Sequence, residues 1–156
     1  MKQISYTNYK KPSDYLSFLE GDTKFVIISN GYFIKRHGMK TGNGYIPMPD
    51  CTEKPDCPSC LKGNEPKQKW TWIVYSRDDK RVYVLDAGPM IGNQICIQAQ
   101  KGGFDPLNRE VKVNKVGEGL RTKYTVSVLM PITLTVDENS FIKPAKDFLV
   151  KKYFSK

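Results

Sequence analysis

The sequence predicts a mainly β fold: a small barrel of about five strands, one short helix and a metal-ordered loop inserted between strands. Three observations predict it. Short runs rich in β-branched and aromatic residues recur along the chain, and polar turns join them into hairpins. Between two such runs lies a segment poor in apolar residues that carries most of the cysteines.

In chain order, residues 1–13 are polar and contain Lys10-Lys11-Pro12, which reads as a flexible N-terminal arm. Asp14 to Leu19 is a short amphipathic lead-in, ended by Glu20-Gly21-Asp22. Lys24 to Ser29 has strand composition, and Tyr32 to His37 continues it after a bend at Gly31. Over residues 38–68 Gly, Pro, Asn and Asp dominate and apolar periodicity disappears, so burial alone cannot order the segment. Trp70 to Tyr75 and Arg81 to Leu85 flank the polar turn Arg77-Asp78-Asp79-Lys80 and form a hairpin. Pro89 to Gln100 reads as a helix, with Pro in its first turn, Ile91, Ile95 and Ala99 four apart, and Gly102-Gly103 as a stop. Val111 to Val116 and Lys123 to Val128 form a second hairpin about Gly117-Glu118-Gly119. From Lys143 the chain is basic and amphipathic, as in a short helix. A barrel of this size with one helix is the OB type, which binds oligonucleotides on a strand face; a β-sandwich is the competing arrangement.

Charge bounds the partners. The 156 residues hold 25 Lys+Arg against 16 Asp+Glu, a net charge of +9, which favours polyanions. The basic residues are spread along the chain instead of lining one amphipathic helix, which argues against a membrane surface. No apolar run approaches the roughly 18 residues of a membrane span, and the N-terminus lacks the apolar stretch of a secretory signal. The expected location is cytoplasmic.

The sharpest motif is His37-x13-Cys51-x5-Cys57-x2-Cys60. A C-x2-C step in a tight turn aims two thiolates at one ion, and zinc then takes two further N or S ligands. Cys51 is the third, and His37, the single histidine, is the preferred fourth. Cys96, between Ile95 and Ile97, fits a buried core thiol better. Four ligands leave no position open for water. The chain has no H-E-x-x-H, and Met39 stands where the deaminase pattern needs glutamate. The expectation is one structural Zn2+ and no enzymatic activity. Asp78, Asp79 and Asp86 sit on or beside a turn, where solvated carboxylates are ordinary, which disfavours a nuclease.

Single strands are held by aromatics that stack on bases and cations that follow phosphates. Here the two interleave in Tyr32, Phe33, Lys35 and Arg36, in Lys69, Trp70 and Trp72, and in Arg121, Lys123 and Tyr124. Each aromatic taken singly fits the core as well as a DNA surface; the clusters carry the argument.

These features together resemble the single-stranded DNA-binding proteins of T-even-type and related tailed bacteriophages. The likeness rests on four stretches: Tyr15 to Asp22 leading into Lys24 to Ser29, the one-His, three-Cys set, the hairpin from Trp72 to Leu85 with its following helix, and Val113 to Tyr124. It implies an OB domain over residues 14–130 with a zinc subdomain over 37–68; residues 131–156 read from their own composition as a C-terminal segment with a short basic helix. It also implies coating of single-stranded DNA in phage replication, recombination and repair in the host cytoplasm, with replication proteins of the same phage as partners and no small-molecule substrate. The chain departs from the family in ending Lys151-Lys152-Tyr153-Phe154-Ser155-Lys156, where an acidic tail is usual, and in having only Lys10-Lys11 as a basic arm. The alternative is a zinc-ribbon-like transcription or replication accessory factor that acts through protein contacts.

Overall fold

The computed structural model describes residues 3, 5–7, 13–41, 44–63 and 65–154; most of the expected N-terminal arm over 1–13 lies outside them. The fold is mainly β, with seven strands in one antiparallel sheet where five were expected. They are β1 (Gly21–Ile27), β2 (Tyr32–Thr41), β3 (Gly44–Asp50), β4 (Lys67–Ser76), β5 (Arg81–Ala87), β6 (Arg109–Val116) and β7 (Lys123–Pro131). Six follow the order β3-β2-β4-β1-β6-β7, and β5 pairs with β4 outside that path. Among the described residues no strand pairing joins β7 to the far side of the sheet, so the expected closed barrel is replaced by an open sheet.

One extra strand comes from the segment expected to be irregular, and the other from the run expected to continue past Gly31, which forms two strands. β2 runs on past His37 and pairs with β3, an element with little apolar periodicity to announce it. Because β4 is ten residues long, its one edge serves two partners: Tyr32–Arg36 of β2 pair with Lys67–Thr71, and Val26–Ile27 of β1 pair with Val74–Tyr75. β1 and β2 thus act as one strand broken at residues 28–31. Close approach explains the break, since a Cβ on Gly31 would lie 2.4 Å from the Trp72 indole nitrogen. The Ser29 hydroxyl heals it by accepting from the Ile73 N–H at 2.8 Å.

Strand alternation sends side chains to two cores. Phe25, Ile27, Trp72, Val74, Leu85, Val111, Val113 and Val126 lie under helix α2 (Pro89–Gly102), which contributes Ile91 and Ile95. Val26, Ile28, Ile73, Tyr75, Val82 and Val84 lie under helix α3 (Val136–Tyr153), which contributes Ile142 and Leu149. β1, β4 and β5 are therefore apolar on both faces. β6 is apolar only toward α2 and turns Lys112 and Asn114 outward.

The C-terminal helix starts earlier than the basic run from Lys143 suggested. Thr135 and Glu138 form a capping box, a Thr-x-x-Glu signature legible in the sequence. The Arg77 guanidinium grips both Glu138 carboxylate oxygens at 3.1 Å, fixing the start of α3 to the β4–β5 turn. Asp14 accepts from Lys152 at 2.8 Å and Tyr153 at 2.7 Å, fixing its end to the lead-in.

The outer edge of β7 is closed by side chains. Gln94 donates to the Tyr124 carbonyl and accepts from the Val126 N–H; Gln98 donates to the Val126 carbonyl and accepts from the Val128 N–H. The two amides, one helical turn apart on α2, do for β7 what a neighbouring strand would do. No helix among the described residues is long and apolar enough to cross a membrane.

Candidate metal centre and aromatic face

The metal cluster is built where β2 passes from β4 to β3. His37 follows the last residue paired with β4 and is 1% exposed. Cys51 follows β3 directly, and its N–H donates to the Lys35 carbonyl at 3.0 Å, which sets it beside His37. Cys57 precedes the four-residue helix α1 (Pro58–Leu61), and Cys60 lies within it. Pro58 at the first helical position suits a turn whose first N–H groups have no partner.

The four ligand atoms lie within 4.8 Å of one another. His37 Nε2 is 3.4 Å from both the Cys57 and Cys60 sulfurs, and the Cys51 and Cys60 sulfurs are 3.6 Å apart. Ligands bonded tetrahedrally to one zinc stand roughly 3.5–3.8 Å apart, given bonds of about 2.0–2.3 Å. The cluster is thus spaced to hold a single metal ion and is consistent with one zinc. Backbone hydrogen bonds from Cys60 and Thr52 pull the Cys57 thiol down to about 5. Burial, with the sulfurs of Cys51 and Cys57, pushes Cys60 up to about 12. A cation bound between close thiolates offsets their mutual repulsion. The Cys51 sulfur also accepts from the Glu53 N–H at 3.4 Å. The buried His37 Nδ1 has no hydrogen-bond partner among the described residues.

Cys96 corrects the expectation of a core thiol. It is exposed on α2, because a helix that buries Ile95 completely turns the next residue about 100° away.

The cations and aromatics of the sequence motifs fall into two groups at separate places on the sheet. The first lies on the β2–β4 ladder beside the metal cluster. Phe33 sits directly across from Trp70, with ring centroids 5.6 Å apart and the rings edge to face. Phe33 is 66% and Tyr32 50% exposed. Phe33, Trp70, Trp72, Cys96 and Pro106 line a cleft of about 370 Å³ between the ladder and α2. Gly92 lets the helix settle onto Trp70, since a Cβ there would meet the indole at 2.4 Å. Lys35 is exposed, and Lys69 is half-buried across from Ile34.

Two residues of that group are tied into the fold. Trp72 is 3% exposed and belongs to the core under α2, so it supports the cleft from below and offers no open face. Arg36 is ion-paired with Asp86 at 3.0 Å, and Asp86 also accepts from Thr71 at 2.8 Å. The second group, Arg121, Lys123 and Tyr124, lies at the β6–β7 turn, where Tyr124 packs edge to face on Phe18 at 6.0 Å. The sequence motifs do not single out the cleft-lining Cys96 and Pro106. Their positions depend on how α2 folds back on the sheet, which no local spacing encodes.

No family model, curated protein or solved structure matches the chain.

Proposed function

We propose that this protein binds single-stranded DNA without enzymatic activity and with little sequence preference, and that its metal is one structural zinc. The observation that carries the reading is the exposed Phe33 ring against half-buried Trp70 on the β2–β4 ladder, with exposed Lys35 on the same face as Phe33 and the four-residue cluster at the end of the ladder. Aromatic faces accept any base, and lysines follow the phosphates without reading sequence. The net charge of +9 supplies the long-range attraction. The donor set of one imidazole and three thiolates selects zinc over harder cations, and a filled tetrahedron leaves no open position for chemistry. A zinc held there joins the β2–β3 hairpin to α1 and keeps β2 in register at the end of the aromatic face. Taken with the phage-family resemblance, the reading assigns the protein to DNA replication, recombination and repair in a phage-infected cell.

The test is a fluorescence titration of metal-loaded protein with labelled oligo-dT and with a duplex of equal length, at two salt concentrations. Tighter binding to the single strand, weakening steeply with salt, is expected. Equal or tighter duplex binding would refute the proposal and favour an accessory factor whose metal hairpin contacts protein.

A further inference from the structure

We propose that the β6–β7 turn is a wedge that enters the junction between double- and single-stranded DNA, with Leu120 as the inserted side chain. The inference rests on the DNA-binding reading above and names a second site for it. Leu120 stands wholly in solvent in the short 3-10 turn Gly119–Arg121. A fully exposed leucine on a free-moving loop would mean little, but this turn is built. Gly117 has φ 90°, and a Cβ there would lie 2.4 Å from the Arg121 carbonyl oxygen, so the chain closes tightly beneath the tip. The Arg121 N–H donates to the Glu118 carbonyl at 3.1 Å, and the Thr122 N–H to the Gly119 carbonyl at 3.2 Å.

The base of the hairpin is braced as well. Lys115 pairs with Tyr124 and donates from Nζ to the Phe18 carbonyl at 3.3 Å, the Tyr124 ring packs on Phe18, and Gln94 holds the Tyr124 carbonyl at 2.9 Å. A rigid tip can transmit force to what it enters. Its charge suits DNA: Arg121 and Lys123 are exposed on the descending side, and Glu118 is the one carboxylate of the turn. Proteins that part stacked bases insert an aliphatic side chain between base steps and hold the flanking phosphates with cations, the arrangement found here. Leucine has no π-face on which a base could stack, so the tip's chemistry is that of separation and the β2–β4 face's that of holding. A single leucine with half-exposed Val116 beside it is too small an apolar surface for stable membrane attachment.

The experiment uses metal-loaded full-length protein and a duplex with a dT tail, carrying 2-aminopurine in the base pair at the junction. Wild type is expected to raise the 2-aminopurine emission. Leu120→Ala should reduce the concentration-normalised rise by about tenfold, the loss expected when no side chain holds the step open, while its affinity for plain oligo-dT stays within about twofold. In Leu120→Trp, emission should be quenched by the junction DNA beyond the quenching of the native tryptophans that wild type shows, and not by blunt duplex. An unchanged 2-aminopurine signal in Leu120→Ala would overturn the wedge, as would a parallel loss of oligo-dT affinity. Binding of wild type to phosphatidylserine vesicles that Leu120→Ala abolishes, without any change at the junction, would also overturn it. Failure of wild type to bind oligo-dT would instead remove the functional reading on which the inference stands.

Discussion

Replacing Gln94 and Gln98 by alanine removes the four hydrogen bonds that close the β7 edge, at 2.7 to 3.1 Å. A hydrogen bond contributes about 0.5–1.5 kcal/mol net, so four sum to roughly 2–6 kcal/mol. The lower half of that range applies, because the β7 edge is part-buried and water can reach the freed backbone groups of Tyr124, Val126 and Val128. Alanine also gains a few tenths of a kcal/mol per site in helix propensity. The expected loss for the double variant is therefore about 2–3 kcal/mol, or about 4–12 °C in Tm for a chain of this size. Urea unfolding followed by circular dichroism measures it, with the single variants completing a double-mutant cycle. The opened edge should also make the variant self-associate with concentration, as unpaired strand edges do, visible by light scattering. A double variant within about 0.5 kcal/mol of wild type, the ordinary range of a neutral surface change, and with no added self-association would refute the edge-closing role.

Further outcomes follow from the same structure. Cys57→Ser and Cys60→Ser should abolish binding of one zinc by elemental analysis, whereas Cys96→Ser, in the cleft beside α2 and outside the four-residue cluster, should retain it. Gly92→Ala would force a methyl group to 2.4 Å from the Trp70 indole, at a cost of about 1–3 kcal/mol and with a shifted tryptophan emission. Phe33→Ala should weaken oligo-dT binding by about 1–3 kcal/mol, and Phe33→Tyr should largely restore it, measured by anisotropy. Hydrogen bonds from Lys152 and Tyr153 hold the Asp14 carboxyl below its ordinary value. That contribution is complete above the unfolded carboxylate range near pH 4 and is lost as pH falls through the lower folded value. Asp14→Asn should thus cost about 1 kcal/mol or less at about pH 7, and that cost should shrink as the pH falls below about 4, by urea midpoints.

The parts of the fold legible in the sequence were those with local signals. The β4–β5 and β6–β7 hairpins announced themselves by alternation about polar turns, and α2 by Pro89 and the spacing of Ile91 and Ile95. The clustering of the four side chains was legible because Cys57 and Cys60 share one turn and the chain has a single histidine to join them. What was not legible depends on distant pairing. β3 carries little apolar alternation and is held by its pairing with β2. Barrel closure was inferred from size and strand count, but α2 binds the β7 edge that closure would have required. Trp70 and Trp72 share a face as their spacing demands, yet only depth in the fold separates a half-exposed indole from a buried one. The Thr135–Glu138 capping box marks the start of α3, whereas the basic run beyond it points to a later boundary.

The most direct measurement of the central claim is the emission of Trp70 in a Trp72→Phe variant, titrated with oligo-dT at low salt and then returned to high salt. If bases stack on the β2–β4 face, the emission falls in a saturable way, recovers as salt rises, and stays unaffected by equal duplex. Tight binding of oligo-dT with the Trp70 emission unchanged, or no binding at all, would contradict the account.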